Sequence, residues 1–304
     1  MVNREHFKPN SDCTAANSSD HTPKRLSMYI SANYHVTSAC NYECRFCFAK
    51  FQGFEQRLPL REAKRIISQL QAAGMKKITL AGGEPFLFPR LGELVEHAKQ
   101  LGVTTMIVTN GSLFSQEFLT NYSSSIDWLG FSIDSKYEIT EKKLGRCFRT
   151  TRTGKDGHVD RIRNAVSLAR DHDIKVKINT VVTSLNWYED MEDLIVELEP
   201  DRWKVFQVLK IEGENDRYIN SLLISTKQFK SFIAQHGHLN PVTESGERMT
   251  GSYLMISPDG RFFDNTTGKI QYSKPILSVG VKKALSQVSF SLDKLLERKG
   301  LYEW

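Results

Sequence analysis

The sequence lacks the features of membrane and secreted proteins. It contains no run of about 18 apolar residues, which is the length that a helix needs to cross a bilayer. The N-terminal stretch MVNREHFKPNSDCTAANSSDHTPKRLS has neither the apolar centre of a secretory signal nor the apolar face of a membrane-surface helix. We therefore expect a cytoplasmic protein with no membrane partner.

A strong charge of one sign is also missing. The net charge is +6 over 304 residues, and no run of five or more basic residues occurs. An arm that binds nucleic acid is therefore not indicated, although a local basic pocket for a small anion stays open. The composition, 40% hydrophobic and 25% charged, is that of a globular protein. A chain of this length fits two ordinary domains or one α/β barrel, and we expect a monomer.

Cysteine is scarce and unevenly placed. Only five cysteines occur, and three of them, Cys40, Cys44 and Cys47, lie within eight residues. A secreted disulfide scaffold would spread its cysteines and pair them, whereas a tight, odd-numbered group indicates metal binding. Cys13 lies in the polar N-terminal arm and Cys147 in a basic loop, so we expect neither to be a ligand.

The three grouped cysteines have the spacing C-x-x-x-C-x-x-C in a loop that follows a predicted strand. Thiolates are the usual ligands of iron–sulfur clusters and of zinc. A structural zinc site needs four ligands, and the nearest candidate for a fourth, His35, lies inside the strand pattern. Three thiolates on a four-iron cluster would leave one iron open to a further ligand. We favour the cluster, with zinc or unrelated thiols as the alternatives.

The chain then alternates between strand and helix patterns. Short β patterns are separated by helical stripes, which is typical of a parallel sheet with helical crossovers. About six such units occur up to residue 236, and a β-hairpin around Pro258-Asp259-Gly260 follows. The predicted strands are Met28–Thr37, Lys76–Ala81, Val103–Thr109, Ile126–Ile133, Ile174–Val182 and Trp203–Leu209.

These patterns predict an α/β fold, a partial (β/α)6 barrel with a C-terminal extension that covers its open face. We expect a disordered arm at residues 1–26, the barrel at 27–236 and the extension at 237–304. A barrel of six units is not closed like one of eight, so its open side can admit a larger substrate. The site should lie at the C-terminal ends of the strands.

Two predicted strands place polar side chains on the face opposite their apolar residues. Alternation sets Lys177 and Asn179 on one face of the fifth strand and Arg202 and Lys204 on one face of the sixth. Helices cover the outer face of a barrel, so these side chains should point into the lumen. Cations there would repel one another unless a dense anion such as a triphosphate lay between them. The alternative is a set of exposed strand-end charges or ion pairs with carboxylates.

The cysteine loop and a second motif together resemble a known family. Gly82-Gly83-Glu84-Pro85 follows the second predicted strand, in register with the cysteine loop after the first. This combination resembles the radical S-adenosylmethionine (SAM) enzymes. The resemblance implies that Cys40, Cys44 and Cys47 hold a [4Fe-4S] cluster whose open iron binds SAM. It also implies that the Gly82–Pro85 turn contacts the amino group of SAM.

The resemblance is closest to the viperin-like members of that family and runs from about Ser31 to Trp304. It implies a lyase that uses the SAM-derived radical to dehydrate a ribonucleoside triphosphate. CTP is the expected substrate, with UTP or GTP as alternatives, and the 3′-deoxy-3′,4′-didehydro product would terminate chains made by viral polymerases in antiviral defence. The motifs that carry the resemblance are Asn33-Tyr-His-x-Thr37, Thr109-Asn-Gly-Ser-Leu113, Lys177-Ile-Asn179, Arg202-Trp-Lys-Val-Phe-Gln207, Ile211-Glu-Gly-Glu-Asn215 and Ser273–Val281.

The chain also departs from animal viperin, since it lacks the amphipathic N-terminal helix and stops short of the charged tail. The resemblance further implies a reductase partner that supplies electrons. Two rival functions stay open. One is a radical enzyme acting on another substrate, such as a peptide, and the other is a zinc-bound scaffold or interaction protein.

Roles for the remaining candidate residues follow from the resemblance and from their positions. Thr109, Asn110 and Ser132 lie at strand ends that suit the ribose and carboxylate of SAM, although Asn-Gly is also a common turn signal. Asn33 should help to bind the triphosphate. Tyr253 matches a tyrosine near the substrate ribose, where its phenol could supply a hydrogen atom or a proton; the alternative is packing.

Overall fold

The computed structural model describes residues 31–51, 53, 57–148, 157–300 and 302. The predicted arm at 1–26 with Cys13, the first residues of the first predicted strand and most of the basic loop after Cys147 lie outside these ranges. None of the described helices is long and apolar enough to span a bilayer.

One ten-stranded sheet forms the centre of the molecule, in the order β10-β9-β8-β1-β2-β3-β4-β5-β6-β7. The strands from β1 to β7 follow the chain across the sheet, and each pairs in parallel with the next. Their bounds are β1 (Ser31–His35), β2 (Lys77–Ala81), β3 (Thr104–Thr109), β4 (Trp128–Ser132), β5 (Lys175–Val182), β6 (Arg202–Gln207) and β7 (Val242–Glu244).

The helices that connect these strands cover one face of the sheet. Short 3₁₀ turns lie at Pro85–Leu87, Ser123–Ser125 and Gly237–Leu239. The helices up to the last crossover are α1 (Leu60–Ala72), α2 (Leu91–Gln100), α3 (Gln116–Tyr122), α4 (Glu138–Leu144), α5 (His158–Arg170), α6 (Glu192–Leu198), α7 (Asp216–Ile219) and α8 (Thr226–Gln235).

The C-terminal residues add strands at the other edge and short helices beyond them. β8 pairs in parallel with β1. β9 is antiparallel to β8, across the predicted hairpin turn, and also to β10 on its other side. The elements are α9 (Gly246–Met249), β8 (Met255–Ile256), β9 (Phe262–Asp264), β10 (Gln271–Tyr272), α10 (Ile276–Val279), α11 (Val281–Leu285) and α12 (Leu292–Glu297).

The apolar residues of strands and helices meet in one large core. On α1, the buried residues Ala63, Ile66, Ile67 and Leu70 repeat at the helical period, so one side of the helix packs on the sheet. On β6, Trp203 is buried on that side. Alternation then turns the polar residues of the same strands to the opposite face, which is the lumen.

The predicted α/β architecture of the radical SAM type is therefore confirmed, with three differences in detail. The pattern predicts an end to the repeat after residue 236, but β7 adds a seventh parallel strand. The strand has only three residues, which is too short for a period-2 pattern to be recognised. Helix α4 was also not predicted, because its seven residues are mostly polar and charged. The β8–β9 hairpin follows the barrel strands along the chain, as predicted, but β8 also pairs with β1, so the hairpin extends the sheet at that edge.

Candidate active site

The cysteine loop leaves the C-terminal end of β1 and is held by the segment after α4. The backbone N–H of Glu43 donates to the Gly145 carbonyl (3.3 Å) and that of Arg45 donates to the Leu144 carbonyl (2.9 Å). Gly145 has a φ of +85°, and a Cβ there would lie 2.1 Å from the Glu43 oxygen. Only glycine fits this position, so the close approach fixes the path of the loop.

The three thiols are half-buried and lie in each other's electrostatic field. Burial raises the pKa of Cys40 to about 11, and the neighbouring thiol of Cys47 raises it further. Burial also raises the pKa values of Cys44 and Cys47, while the Arg146 guanidinium lowers all three. Three thiolates could not persist here without a compensating positive centre. Iron would supply that charge, so the donor set fits a cluster.

The spacing of the thiols bears on which metal they fit. Within the described ranges, no three metal-ligating side chains are gathered closely enough to hold a single ion. A four-coordinate zinc site would require such a group. A four-iron cluster would not, because each thiolate binds a different iron atom.

The Gly82–Pro85 turn packs directly against the start of the cysteine loop. The Gly83 N–H donates to the Thr37 carbonyl (2.7 Å) and the Glu84 N–H donates to the Ala39 carbonyl (2.8 Å). A Cβ on Gly82 would lie 2.5 Å from the Thr37 oxygen, and one on Gly83 would lie 2.3 Å from the Ala39 oxygen. The two glycines therefore let the turn and the loop form one surface.

Glu84 joins this surface to the end of β3. Its buried carboxylate accepts hydrogen bonds from the Thr109 hydroxyl (2.6 Å), the Asn110 N–H (2.8 Å) and the Phe86 N–H (3.2 Å). Burial nevertheless raises its pKa to about 7. The Asn110 amide in turn donates to Asn41 in the cysteine loop (3.0 Å). The structure thus brings Glu84, Thr109 and Asn110 together beside the cysteines.

Ser132 lies at the end of β4, opposite Asn179 on β5. Its carbonyl oxygen is 2.8 Å from Nε2 of the buried His158, and its side chain is half-buried. The Asn179 carboxamide oxygen is buried and has no hydrogen-bond partner in the described part of the chain. It is therefore a polar atom within the lumen that a ligand could satisfy.

Five cations on strands and in the C-terminal segment form the far end of the lumen. Lys177 lies beside Arg202 in register, and Asn179 lies beside Lys204, as the alternation predicts. The structure adds two cations that the sequence analysis missed. We call Lys77, Lys177, Arg202, Lys204 and Arg298 the cationic cluster; all but Arg202 are buried.

The positive charges of this cluster affect each other's protonation. Burial lowers the pKa of Lys177 to about 7, and Arg202 and Arg298 lower it as well. Burial lowers the pKa of Lys77 to about 6, with further contributions from Lys177, Arg202 and Arg298. Burial lowers the pKa of Lys204 well below its usual value.

Lys204 forms an ion pair with a carboxylate, which is the alternative that the sequence left open for the cations of the lumen. Its ammonium group lies 2.5 Å from the carboxylate of Glu244, which also contacts Arg298 at 3.2 Å. The sequence analysis missed Glu244 because it ends β7, the strand that was not predicted. Lys177, by contrast, makes no hydrogen bond or ion pair with any residue that the structure describes.

The two other missed residues differ in how well the sequence signals them. Lys77 begins β2 and shares a face with Thr79 and Ala81, so alternation along that strand could have identified it. Arg298 follows the short helix α12, and no periodic pattern places it in the lumen.

Tyr253 lies in the cationic cluster. Its hydroxyl donates to Glu244 and accepts from the Lys204 ammonium group (2.8 Å), and the Arg298 guanidinium lies 3.7 Å from the ring centre. Burial and the Glu244 carboxylate raise the pKa of Tyr253 well above its usual value. Asn33 is nearby on β1, where its N–H donates to the Leu254 carbonyl (2.9 Å). Lys204 and Tyr253, whose roles the sequence analysis predicted separately, thus belong to one hydrogen-bonded group.

Comparison with known proteins identifies the family. The model of the radical SAM superfamily matches residues 34–198. The "S-adenosylmethionine-dependent nucleotide dehydratase" of Flammeovirga pacifica is 43% identical over 283 residues, which cover 90% of this chain and 96% of that protein. The "S-adenosylmethionine-dependent nucleotide dehydratase RSAD2" of Danio rerio is 40% identical over 287 residues, covering 90% of this chain and 78% of that protein.

Solved structures share the fold. Native anSMEcpe with bound AdoMet superimposes with a TM-score of 0.63 at 14% identity, over 88% of this chain and 82% of that chain. Streptococcus suis SuiB bound to precursor peptide SuiA gives a TM-score of 0.64 at 16% identity, over 85% of this chain and 62% of that chain. At these identities the likeness concerns the fold alone.

Radical SAM enzymes use a [4Fe-4S] cluster and SAM. In this chain, Cys40, Cys44 and Cys47 are the three thiols of one loop, and the Gly82–Pro85 turn lies against that loop. The sequence matches and this geometry agree. The chain therefore belongs to the radical SAM superfamily and, within it, to the family of the S-adenosylmethionine-dependent nucleotide dehydratases.

Proposed function

We propose that this enzyme dehydrates a ribonucleoside triphosphate, CTP, to its 3′-deoxy-3′,4′-didehydro analogue. The names of the relatives support dehydration of a nucleotide. The cationic cluster supports the triphosphate. The same chemistry on UTP or GTP is the alternative. We propose further that the product terminates chains made by viral polymerases, in antiviral defence.

The observation that carries the proposal is the imbalance of charge in the lumen. The basic side chains of Lys177, Arg202, Lys204 and Arg298 lie in one another's field, and Glu244 is the one carboxylate among the described residues that forms an ion pair with any of these four. Charging all of these groups at once is costly, so burial lowers the pKa values of the lysines, and a bound anion would stabilise their charged forms. A triphosphate carries about four negative charges, and each charge-assisted hydrogen bond to it contributes about 1.5–3 kcal/mol.

The position of the cationic cluster also suits an elongated substrate. Lys77 begins β2, and the Gly82–Pro85 turn follows the end of the same strand. Five residues of extended chain span about 16 Å. A phosphate chain bound at the cluster would therefore let the ribose lie between it and the SAM site. The carboxamide oxygen of Asn179, which has no hydrogen-bond partner among the described residues, could accept a hydrogen bond from such a ligand.

Cys40, Cys44 and Cys47 would hold the [4Fe-4S] cluster, which together with SAM would supply the radical chemistry that activates C4′ of the substrate. The chain's own residues bind and orient the nucleotide for this step. Lys177 and Arg202 hold the phosphates, helped by Asn33 and Asn179, and the lumen excludes bulk water. Loss of the 3′-hydroxyl as water then consumes one proton, whose delivery we assign to Tyr253, and one electron, which the reductant that serves the cluster would supply.

Lys204 and Glu244 would set the protonation of that phenol. Lys204 donates to the Tyr253 oxygen while the Tyr253 hydroxyl donates to Glu244. A proton that leaves Tyr253 could therefore be replaced from Lys204 without exchange with bulk solvent.

Two measurements test the proposal. CTP should bind at least tenfold more tightly than CMP, and Arg202→Ala should weaken CTP binding while CMP binding changes little. Tyr253→Phe keeps the ring and removes only the hydroxyl. SAM cleavage should continue in this variant while the didehydro product falls sharply. Equal binding of CTP and CMP would contradict the triphosphate site, and an unchanged product yield would assign Tyr253 to packing.

A further inference from the structure

A basic surface patch lies on the outer side of the cysteine loop. It consists of Arg45, Lys142, Lys143 and Arg217, all of them exposed. We propose that this patch is the docking surface of a small acidic one-electron carrier. The inference rests on the proposed function, because it concerns the delivery of electrons to the same cluster.

Two sets of contacts bring the four side chains to one place. The Arg45 N–H donates to the Leu144 carbonyl, so the cysteine loop runs beside the end of α4, where Lys142 and Lys143 lie. On the other side, the guanidinium groups of Arg45 and Arg217 lie 5.4 and 4.9 Å from the ring centre of Tyr218. The patch therefore spans the cysteine loop, α4 and α7.

The charges of the patch are available to a partner. None of its four cations forms an ion pair with another residue in the described ranges. Several acidic residues are close in sequence. Glu43 and Asp216 are exposed, and Asp216 lies 4.0 Å from Lys210. Glu141 is buried, and the carboxylates of Glu138 and Glu214 accept hydrogen bonds from backbone N–H groups. The patch consequently keeps a net positive charge, and a protein with an acidic face would be steered towards it.

The patch lies above a cluster ligand. Beneath it, the half-buried Cys44 packs with Phe46 and Leu144, and Arg45 is the next residue along the chain. Electron transfer weakens steeply with distance, so a carrier must approach the cluster closely. The three cluster cysteines are the only thiols in this loop, and no second cysteine group exists to relay electrons from elsewhere. A carrier docked on the patch would be separated from the cluster by a single layer of side chains.

The transfer itself involves one electron and no atoms. The carrier is oxidised by one electron as the cluster is reduced by one. The patch only holds the carrier in place, so changes in its charge should alter the rate of delivery and leave the SAM and nucleotide sites unchanged.

The test compares two matched pairs of adjacent, exposed lysines. Lys142→Glu/Lys143→Glu reverses the charge of the patch. Lys282→Glu/Lys283→Glu makes the same change on α11, in the C-terminal segment. Reduction of the reconstituted holoenzyme is followed by stopped-flow absorbance with flavodoxin hydroquinone, an acidic protein. Photoreduced 5-deazariboflavin serves as a small, uncharged reductant in parallel.

We expect the patch variant to be reduced by flavodoxin about tenfold more slowly than the wild type at low salt, and the control pair to behave as the wild type. Added salt should slow the wild type and narrow the difference. Deazariboflavin should reduce all three proteins equally. A wild-type rate for the patch variant with flavodoxin would overturn the inference. A failure to turn over nucleotide after equal reduction would count against the proposed function instead.

Discussion

Lys177 projects into a lumen that contains four other basic side chains, and it makes no hydrogen bond or ion pair with a described residue. Burial opposes its positive charge most strongly, the Glu244 carboxylate favours that charge, and Arg202 and Arg298 oppose it. A residue in this position destabilises the protein without a bound anion, and we propose that binding the triphosphate is its role. Stability and affinity should therefore respond in opposite directions when it is replaced.

Lys177→Met tests this opposition. Replacing Lys177 removes the cost of burying its charge or, near pH 7.5, of deprotonating it, so the free energy of unfolding should rise by on the order of 1–4 kcal/mol. Affinity for the triphosphate should fall about 10- to 100-fold. Thermal unfolding and equilibrium binding measure the two quantities, with the exposed Lys175 of the same strand replaced in the same way as a control. A variant that is less stable and binds normally would show that Lys177 is structural.

The cysteines make a second prediction at the level of residues. Replacing Cys40, Cys44 or Cys47 by alanine removes a thiolate ligand and leaves an iron uncoordinated. Iron content and 5′-deoxyadenosine formation should both collapse in each variant. Cys147→Ala, at the residue before Phe148, which forms a β-bridge with Tyr42, should keep both. A Cys47→Ala protein that retains a full cluster and cleaves SAM would refute the assignment.

The cysteine loop depends on an element far away in sequence. Asn215, which precedes α7, is buried and donates to the Phe46 carbonyl (3.1 Å) and the Leu209 carbonyl (2.9 Å). The Glu214 carboxylate accepts from the N–H groups of Lys50 and Phe51 (3.0 and 3.1 Å). The conformation of the loop is therefore set partly by the Ile211–Asn215 motif, and not by the cysteines alone.

Asn215→Ala should loosen the loop, because it leaves buried carbonyl groups without partners at a cost of about 1–3 kcal/mol. We expect lower iron occupancy after reconstitution and faster cluster loss in air. Asn220→Ala, an exposed asparagine just after α7, should match the wild type. Iron analysis and the decay of cluster absorbance report the result. Equal decay in Asn215→Ala and Asn220→Ala would mean that the hydrogen bonds of Asn215 do not help to retain the cluster.

Sequence patterns predicted the regular elements well and the short ones poorly. The strands β1 to β6 carry period-2 alternation, so both their existence and the lumen side of Lys177 and Lys204 could be predicted. Glu244 and Arg298 could not, because they lie on or after elements too short to show a period. The pairing of Lys204 with Glu244 is a tertiary contact that no local pattern contains.

At the scale of the whole molecule, the length of the strands separates two groups of functional residues. The cysteine loop and the Gly82–Pro85 turn occupy the C-terminal ends of the first strands, while the cationic cluster begins at the first residues of β2 and β6. The strands between them set the length of the site. The C-terminal residues complete the cationic end, since the Arg202 guanidinium donates to the Lys299 carbonyl (2.8 Å) and lies 3.9 Å from the Tyr302 ring centre.

This arrangement predicts a link between binding and protonation. Near pH 7.5, Lys77 and Lys177 are largely neutral in the free protein, because their pKa values are about 6 and 7. A bound polyphosphate favours the charged forms and raises both pKa values, so binding should take up about one to two protons. Affinity should then fall as the pH rises from 7 to 9.

Calorimetry in buffers of different ionisation enthalpy measures that uptake directly. Lys177→Met should reduce it, and the uptake should vanish below about pH 5, where both lysines are already charged. A binding enthalpy that is independent of the buffer at pH 7.5 would show that the two lysines do not change protonation on binding.

The most direct test of the central claim is the identity of the product. The anaerobically reconstituted enzyme is incubated with SAM, a reductant and each of the four ribonucleoside triphosphates, and the nucleotides are analysed by mass. The account predicts that CTP loses one water, in amounts that match the 5′-deoxyadenosine formed, and that CMP does not react. SAM cleavage with no dehydrated nucleotide from any of the four would contradict it.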